Sequence, residues 1–182
     1  WDKHYAGGQT TVESYAKYNG KYVCVSFDGD YQSWNFRRDL FEDSTEQKNF
    51  KAKYGWDLQW PETFEQLDQL SEFFTRPDQN LLGATDIRNS IWGLTNWIQR
   101  YASAANPFQG YFDPKTAKPL INSPAGIRAT QEYSDTMAFK SKDAVSWGWP
   151  EQYANFTAGG AAITCAFPNM PKFLDNPGNA DS

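Results

Sequence analysis

Histidine is nearly missing from this 182-residue chain, occurring once, as His4. A histidine-activated serine or cysteine would have to run through that one position. Zinc fares no better, because His4, Cys24 and Cys165 have no ligand spacing. Cysteine is scarce too. Cys24 lies in "YVCVSF" and Cys165 in "AAITCAF", apolar settings that predict buried thiols in preference to a disulfide. There is no basic run, and 17 Lys and Arg against 22 Asp and Glu give a formal charge of −5, which argues against a face that tracks nucleic-acid phosphates. No apolar run approaches the roughly 18 residues of a membrane span, and no leader-like segment opens the chain. Trp1 stands where an initiator Met would, so a processed protein or a piece of a longer one is expected. Neither a phosphate loop nor G-x-G-x-x-G after a strand is present, and no cofactor is implied.

What the chain has in plenty is aromatic surface: 17% of its residues, with eight Trp. A core of this size needs fewer, so some rings are expected in a cleft, where their amphipathic faces suit sugars and other ring ligands.

Strand and helix signals alternate. "TTVESYAKY" reads as the end of a helix and "KYVCVSF" as a buried strand. "QSWNF" reads as a short strand, followed by helical spacing through "RRDLFEDSTEQKNFKAKYG" to a stop at Gly55. Pro61 is expected to open the helix of "WPETFEQLDQLSEFFTR". "NLLGATD" gives a short buried strand that leads into a long helix, with Ile87, Ile91, Leu94, Ile98 and Tyr101 on one face. Short extended pieces are expected at Gly110 to Phe112 and Pro119 to Ile121. Ser123 and Pro124 start a helix running to about Phe139, Pro150 opens another that Gly159-Gly160 closes, and "AAITCAF" is a fully buried strand. Repeated strand-helix units predict an α/β fold, a partly parallel sheet flanked by helices, with any ligand crevice at strand ends.

Within "SFDGDYQSWNFRRDLFED", Asp28-Gly29-Asp30 is an acidic turn, but Tyr31, Gln32, Ser33 and Trp34 follow where calcium would need further oxygen ligands. Nothing in the acid spacing picks out a catalytic pair. Glu42, Asp43, Glu46, Glu62, Glu65, Asp68 and Glu72 read as solvated helix faces. Phe64, Phe73, Phe74 and Tyr101 read as core, and Trp56 and Trp60 as loop clamps. Trp34, Trp92 and Phe167 sit at or just past predicted strand ends, where a crevice opens.

Four segments in order resemble the extracellular solute-binding proteins of sugar-type ABC importers, the maltose-binding-protein group. They are "KYVCVSFDGDYQSWNFRRDLFED", "YGWDLQWPETFEQLDQLSEFF", "GYFDPKTAKPLINSPAGIRA" and "SWGWPEQYANFTAGGAAITCAFPN". The resemblance implies a periplasmic-binding-protein type II-like lobe, a lobe-sized fragment of a two-lobe protein. Residues 1–27 would end the first lobe and supply the hinge strand, and 28–182 would form the second lobe, incomplete at its C-terminal side. It further implies periplasmic or extracellular location, a sugar or other polyhydroxylated ligand caught between lobes, an ABC permease as partner, and no catalysis. Asp28 and Asp30 would then edge the cleft, with Trp34, Arg88, Asn89, Trp92, Phe167 and Asn169 as further ligand-binding residues. Phe167 stands where the family often has a stacking Trp, and Gly160 replaces its usual Lys or Glu. With half the cleft missing, binding by this chain alone is expected to be weak or absent. The competing readings are a glycan-active enzyme domain using paired carboxylates, and a structural or docking domain, the latter favoured if Trp34, Trp92 and Asp28 are fully buried.

Overall fold

The computed structural model describes residues 16–24, 30–107, 109–168 and 170. The chain divides into two units, residues 1–31 and 32–182. In the first, strands β1 (Lys17–Tyr18) and β2 (Lys21–Tyr22) pair antiparallel. Asn19 and Gly20 turn between them with φ of 48° and 75°, the left-handed pair that a tight hairpin requires. The buried strand expected over "KYVCVSF" is therefore corrected in its described part. Only Lys21 and Tyr22 are strand, both exposed, and Cys24 is exposed as well. Asp28 lies outside the described residues, as does most of the helix expected at "TTVESYAKY".

The second unit carries a sheet of β3 (Ser33–Phe36), β4 (Leu82–Thr85) and β5 (Ala161–Ala166) in the order β3-β5-β4. β4 runs parallel to β5, and β3 antiparallel. All six residues of β5 are buried, as an unbroken apolar run in a central strand should be. Helices α1 (Arg38–Glu42), α2 (Ser44–Tyr54), α3 (Phe64–Phe74), α4 (Leu94–Ala104), α5 (Pro124–Asp135) and α6 (Trp149–Thr157) accompany the sheet. The expected α/β class with a partly parallel sheet is what forms.

The main core joins Phe50, Leu67, Leu70, Phe74, Ala84 and Ile163. It closes tightly because β4 has no side chain where α3 crosses it. A Cβ on Gly83 would stand 1.7 Å from the Ser71 carbonyl oxygen.

Local side-chain chemistry moved three expected boundaries. Asp43 splits the helix expected from Arg37 onward, because its Oδ1 accepts from the Thr45 and Glu46 amides at 2.8 Å and so caps α2. Thr63, accepting from the Gln66 amide at 3.2 Å, starts α3 at Phe64, beyond Pro61. The long helix expected from Ile87 begins only at Leu94. Asn89 Oδ1 accepts from the Ile91 and Trp92 amides at 3.2 and 2.9 Å, holding a turn that competes with the helix. Ile91 and Leu94 are consequently exposed. Ser123 caps α5 with Pro124 in its first turn, α6 carries Pro at its start, and Gly159 ends it at φ 77°, all as expected. Of the two extended pieces, a single bridge between Phe112 and Pro119 forms.

Candidate functional site

Because β4 and β5 are parallel, their C-terminal ends share one edge of the sheet. β3 runs the other way, with Ser33 opposite Ala166, so its N-terminal flank at Gln32 reaches the same edge. Open α/β sheets take ligands at such an edge. Phe167 follows β5 directly, and its amide donates to the Tyr153 hydroxyl at 3.0 Å. Trp92, on the loop after β4, leans edge-on against Phe167, with ring centroids 6.1 Å apart and an interplanar angle of 78°. Trp92 is 43% exposed, so part of its indole stays open to solvent beside the Phe167 contact. Trp149, also exposed, packs edge-on against Tyr153 at 5.8 Å and extends the aromatic surface.

Neutral amides and a hydroxyl line the opposite flank. Trp34 Nε1 donates to Gln99 Oε1 at 3.3 Å, and Gln99 Nε2 donates to Gln32 Oε1. Gln32 Nε2 donates in turn to Thr95 Oγ1 at 2.9 Å, and Thr95 Oγ1 donates to the Trp92 carbonyl at 2.7 Å. Gln99 Nε2 also reaches Cys165 Sγ at 3.5 Å. Burial pushes that thiol up to about 12, so it stays protonated and unreactive at neutral pH.

The charges near the strand end are turned inward. Arg88 donates to both carboxylate oxygens of Asp86, at 2.7 and 2.9 Å, to the Tyr133 carbonyl at 2.7 Å and to Thr136 Oγ1. Its guanidinium also lies over the Tyr133 ring at 3.6 Å. Lys140 Nζ adds a contact to Asp86 at 3.4 Å and donates to the Ala84 carbonyl at 3.2 Å. All three charged side chains are buried. Burial raises the Asp86 pKa, but the Lys140 and Arg88 cations outweigh it and hold the carboxyl below its ordinary range. Burial likewise lowers the Lys140 ammonium, with Asp86 opposing.

Of the residues singled out by sequence, Trp92 and Phe167 come together. Asn89 lies beside them as the cap of the Trp92 turn, and Trp34 joins through Gln99. Trp34 is half-buried and packs on the core with Phe64 and Leu67, away from contact with the Trp92 ring pair. Arg88 is committed to Asp86, Tyr133 and Thr136. Asp30 is exposed and belongs to the first unit. Asp28 and Asn169 lie outside the described residues. Sequence reading passed over Gln32, Thr95, Gln99, Tyr153 and Trp149. Only the four-residue step from Thr95 to Gln99, which puts both on one face of α4, could have marked a pair in advance.

Among the described residues no cluster of three metal-ligating side chains occurs. Elsewhere Asp68 pairs with Arg100 at 2.6 Å, Glu132 with Arg128 at 2.6 Å and Glu72 with Lys53 at 2.9 Å.

No protein-family model matches the sequence, and no curated protein does. In fold, the chain is similar to part of the ABC-transporter solute-binding proteins. A solute-binding protein of Agrobacterium radiobacter K84 in complex with ribitol superposes with a TM-score of 0.69 at 22% identity, over 100% of this chain and 43% of that one. One from Agrobacterium vitis S4 with bound D-mannitol gives 0.68 at 23%, over 93% and 38%. Maltose-bound MalE3 of T. maritima gives 0.66 at 19%, over 96% and 42%. The chain thus spans about two-fifths of the length of these proteins.

Proposed function

We propose that this chain is a ligand-binding lobe of a sugar- or polyol-binding subunit serving an ABC importer outside the cytoplasmic membrane. Residues 1–27 would be the end of the first lobe with its hinge strand, and 28–182 the second lobe. The observation that carries the reading is the Trp92–Phe167 pair at the strand-end edge, a half-exposed indole flanked by neutral hydrogen-bonding groups. A sugar offers one apolar face to stack and a rim of hydroxyls that must be paired on desolvation, and such an edge meets both needs. The inward turning of Asp86, Arg88 and Lys140 favours an uncharged ligand, since no charge of that cluster is left for a sugar acid or phosphate. The bound ribitol, mannitol and maltose of the structural neighbours point the same way.

Ligand capture between lobes shifts a population from open to closed, and a permease would read the closed form. Asp28, Asp30, Trp34, Arg88, Asn89 and Asn169 are our candidates for further ligand contacts. A glycan-active enzyme would need two facing acids, and the buried, ion-paired Asp86 does not offer one. Incubation of the protein with maltose tests the distinction. Maltose recovered intact after prolonged incubation is expected, and release of glucose by the purified chain would sink the binding reading.

A further inference from the structure

We propose that Gln32, Gln99 and Thr95 are positioning residues for Trp92, forming a one-way hydrogen-bond relay whose direction is set by Trp34. The proposal rests on the reading of Trp92 as the ligand-facing ring. An indole N–H can only donate, so Gln99 must turn its Oε1 toward Trp34. The Gln99 amide nitrogen is then the group that donates to Gln32 Oε1. Gln32, accepting there, must face Thr95 with its own nitrogen, at 2.9 Å. The Thr95 hydroxyl accepts that bond and directs its single hydrogen at the Trp92 carbonyl, at 2.7 Å. Each step removes one of two choices from the next, so a donor on β3 decides the hydrogen-bonding state of the Trp92 turn.

α4 begins without a side-chain cap from Gly93, and the Trp92 ring has Phe167 as its ring partner. What fixes its direction is its own peptide. Its N–H donates to Asn89 Oδ1 at 2.9 Å, and its carbonyl accepts from both the Thr95 amide, at 3.0 Å, and the Thr95 hydroxyl. A ring already ordered in the unliganded protein avoids the ordering cost that binding would otherwise carry.

The test uses fluorine NMR of the ligand-free chain labelled with fluorotryptophan, with the Trp92 resonance assigned by Trp92→Phe. Thr95→Val preserves shape but can neither accept nor donate. It is expected to shift and broaden the Trp92 resonance more than any other of the eight indoles, and Thr95→Ser is expected to restore it. Gln99→Glu still accepts from Trp34 but cannot donate, so Gln32 must reverse and draw the Thr95 hydroxyl off the Trp92 carbonyl. Both the Trp34 and the distant Trp92 resonances should then move, whereas Gln32→Ala, which leaves the Thr95 hydroxyl free to keep donating to the Trp92 carbonyl, should move Trp92 less. The relay is overturned if Thr95→Val leaves Trp92 in place, if Gln99→Glu moves Trp34 alone, or if all indoles shift alike. Because no ligand is present, failure here is separate from failure of the binding reading, which maltose or D-mannitol titration judges independently.

Discussion

Asp86 shows how one residue both shapes the strand end and records its electrostatics. Its carboxylate neutralises two buried cations, Arg88 and Lys140. Asp86→Asn would strand both and is expected to cost about 3–5 kcal/mol of stability, readable as a lowered urea midpoint. The pH dependence follows from the sign of the shift. Asp86 has a depressed folded pKa, because the Lys140 and Arg88 cations override the upward push of burial. Its stabilisation is therefore complete above the ordinary carboxylate pKa and is lost as pH falls through the lower folded value. Urea midpoints should fall as pH drops below the ordinary carboxylate range, and Asp86→Asn should flatten that part of the profile. A profile unchanged by the substitution would remove Asp86 as its source. At this scale the sequence was only partly legible. The resemblance to solute-binding proteins put Arg88 among the cleft residues. Its direction was decided by Asp86, Tyr133 and Thr136, two of which are more than forty positions away, and no local pattern announces such partners.

Elements were more legible, because their signals are local. The apolar run of β5, the Ser123-Pro124 start of α5 and the Gly55 and Gly159 stops all act within a few residues of themselves. The misread boundaries are those where a short polar side chain took over amides that the apolar spacing assigned to a helix, at Asp43, Thr63 and Asn89. Asn89→Ala should cost about 1 kcal/mol, the usual worth of a capping side chain, and loosen the Trp92 turn, visible as faster amide exchange at Ile91 and Trp92. The contact of α3 with β4 makes a sharper demand. Gly83→Ala forces a methyl to within 1.7 Å of the Ser71 carbonyl unless the helix moves. Overpacking of this kind costs about 1–3 kcal/mol or more, measurable by thermal or urea unfolding. Wild-type stability in that variant would show that α3 and β4 can separate at little cost.

At the scale of the whole molecule, the alternation of strands and helices foretold the α/β class, and four ordered segments foretold the likeness to solute-binding proteins that the superposed structures bear out in fold. The site was less legible, because its parts lie far apart in the chain. Gln32, Trp92, Thr95, Gln99 and Phe167 meet only when three strands align their ends. What that meeting creates is a neutral, aromatic edge, and the account stands on its taking an uncharged polyhydroxylated ligand. One lobe alone should hold such a ligand weakly, with a Kd of about 1 mM or above, equivalent to roughly −4 kcal/mol or less favourable. The most direct measurement is a fluorine-NMR titration of the fluorotryptophan-labelled chain with D-mannitol and maltose, in parallel with glucose 6-phosphate. The account predicts a saturable shift of the Trp92 resonance with at least one neutral ligand, none with the phosphate, and loss of all response in Trp92→Ala. A Trp92 resonance silent to both neutral ligands, or one that answers to the phosphate alone, would contradict it.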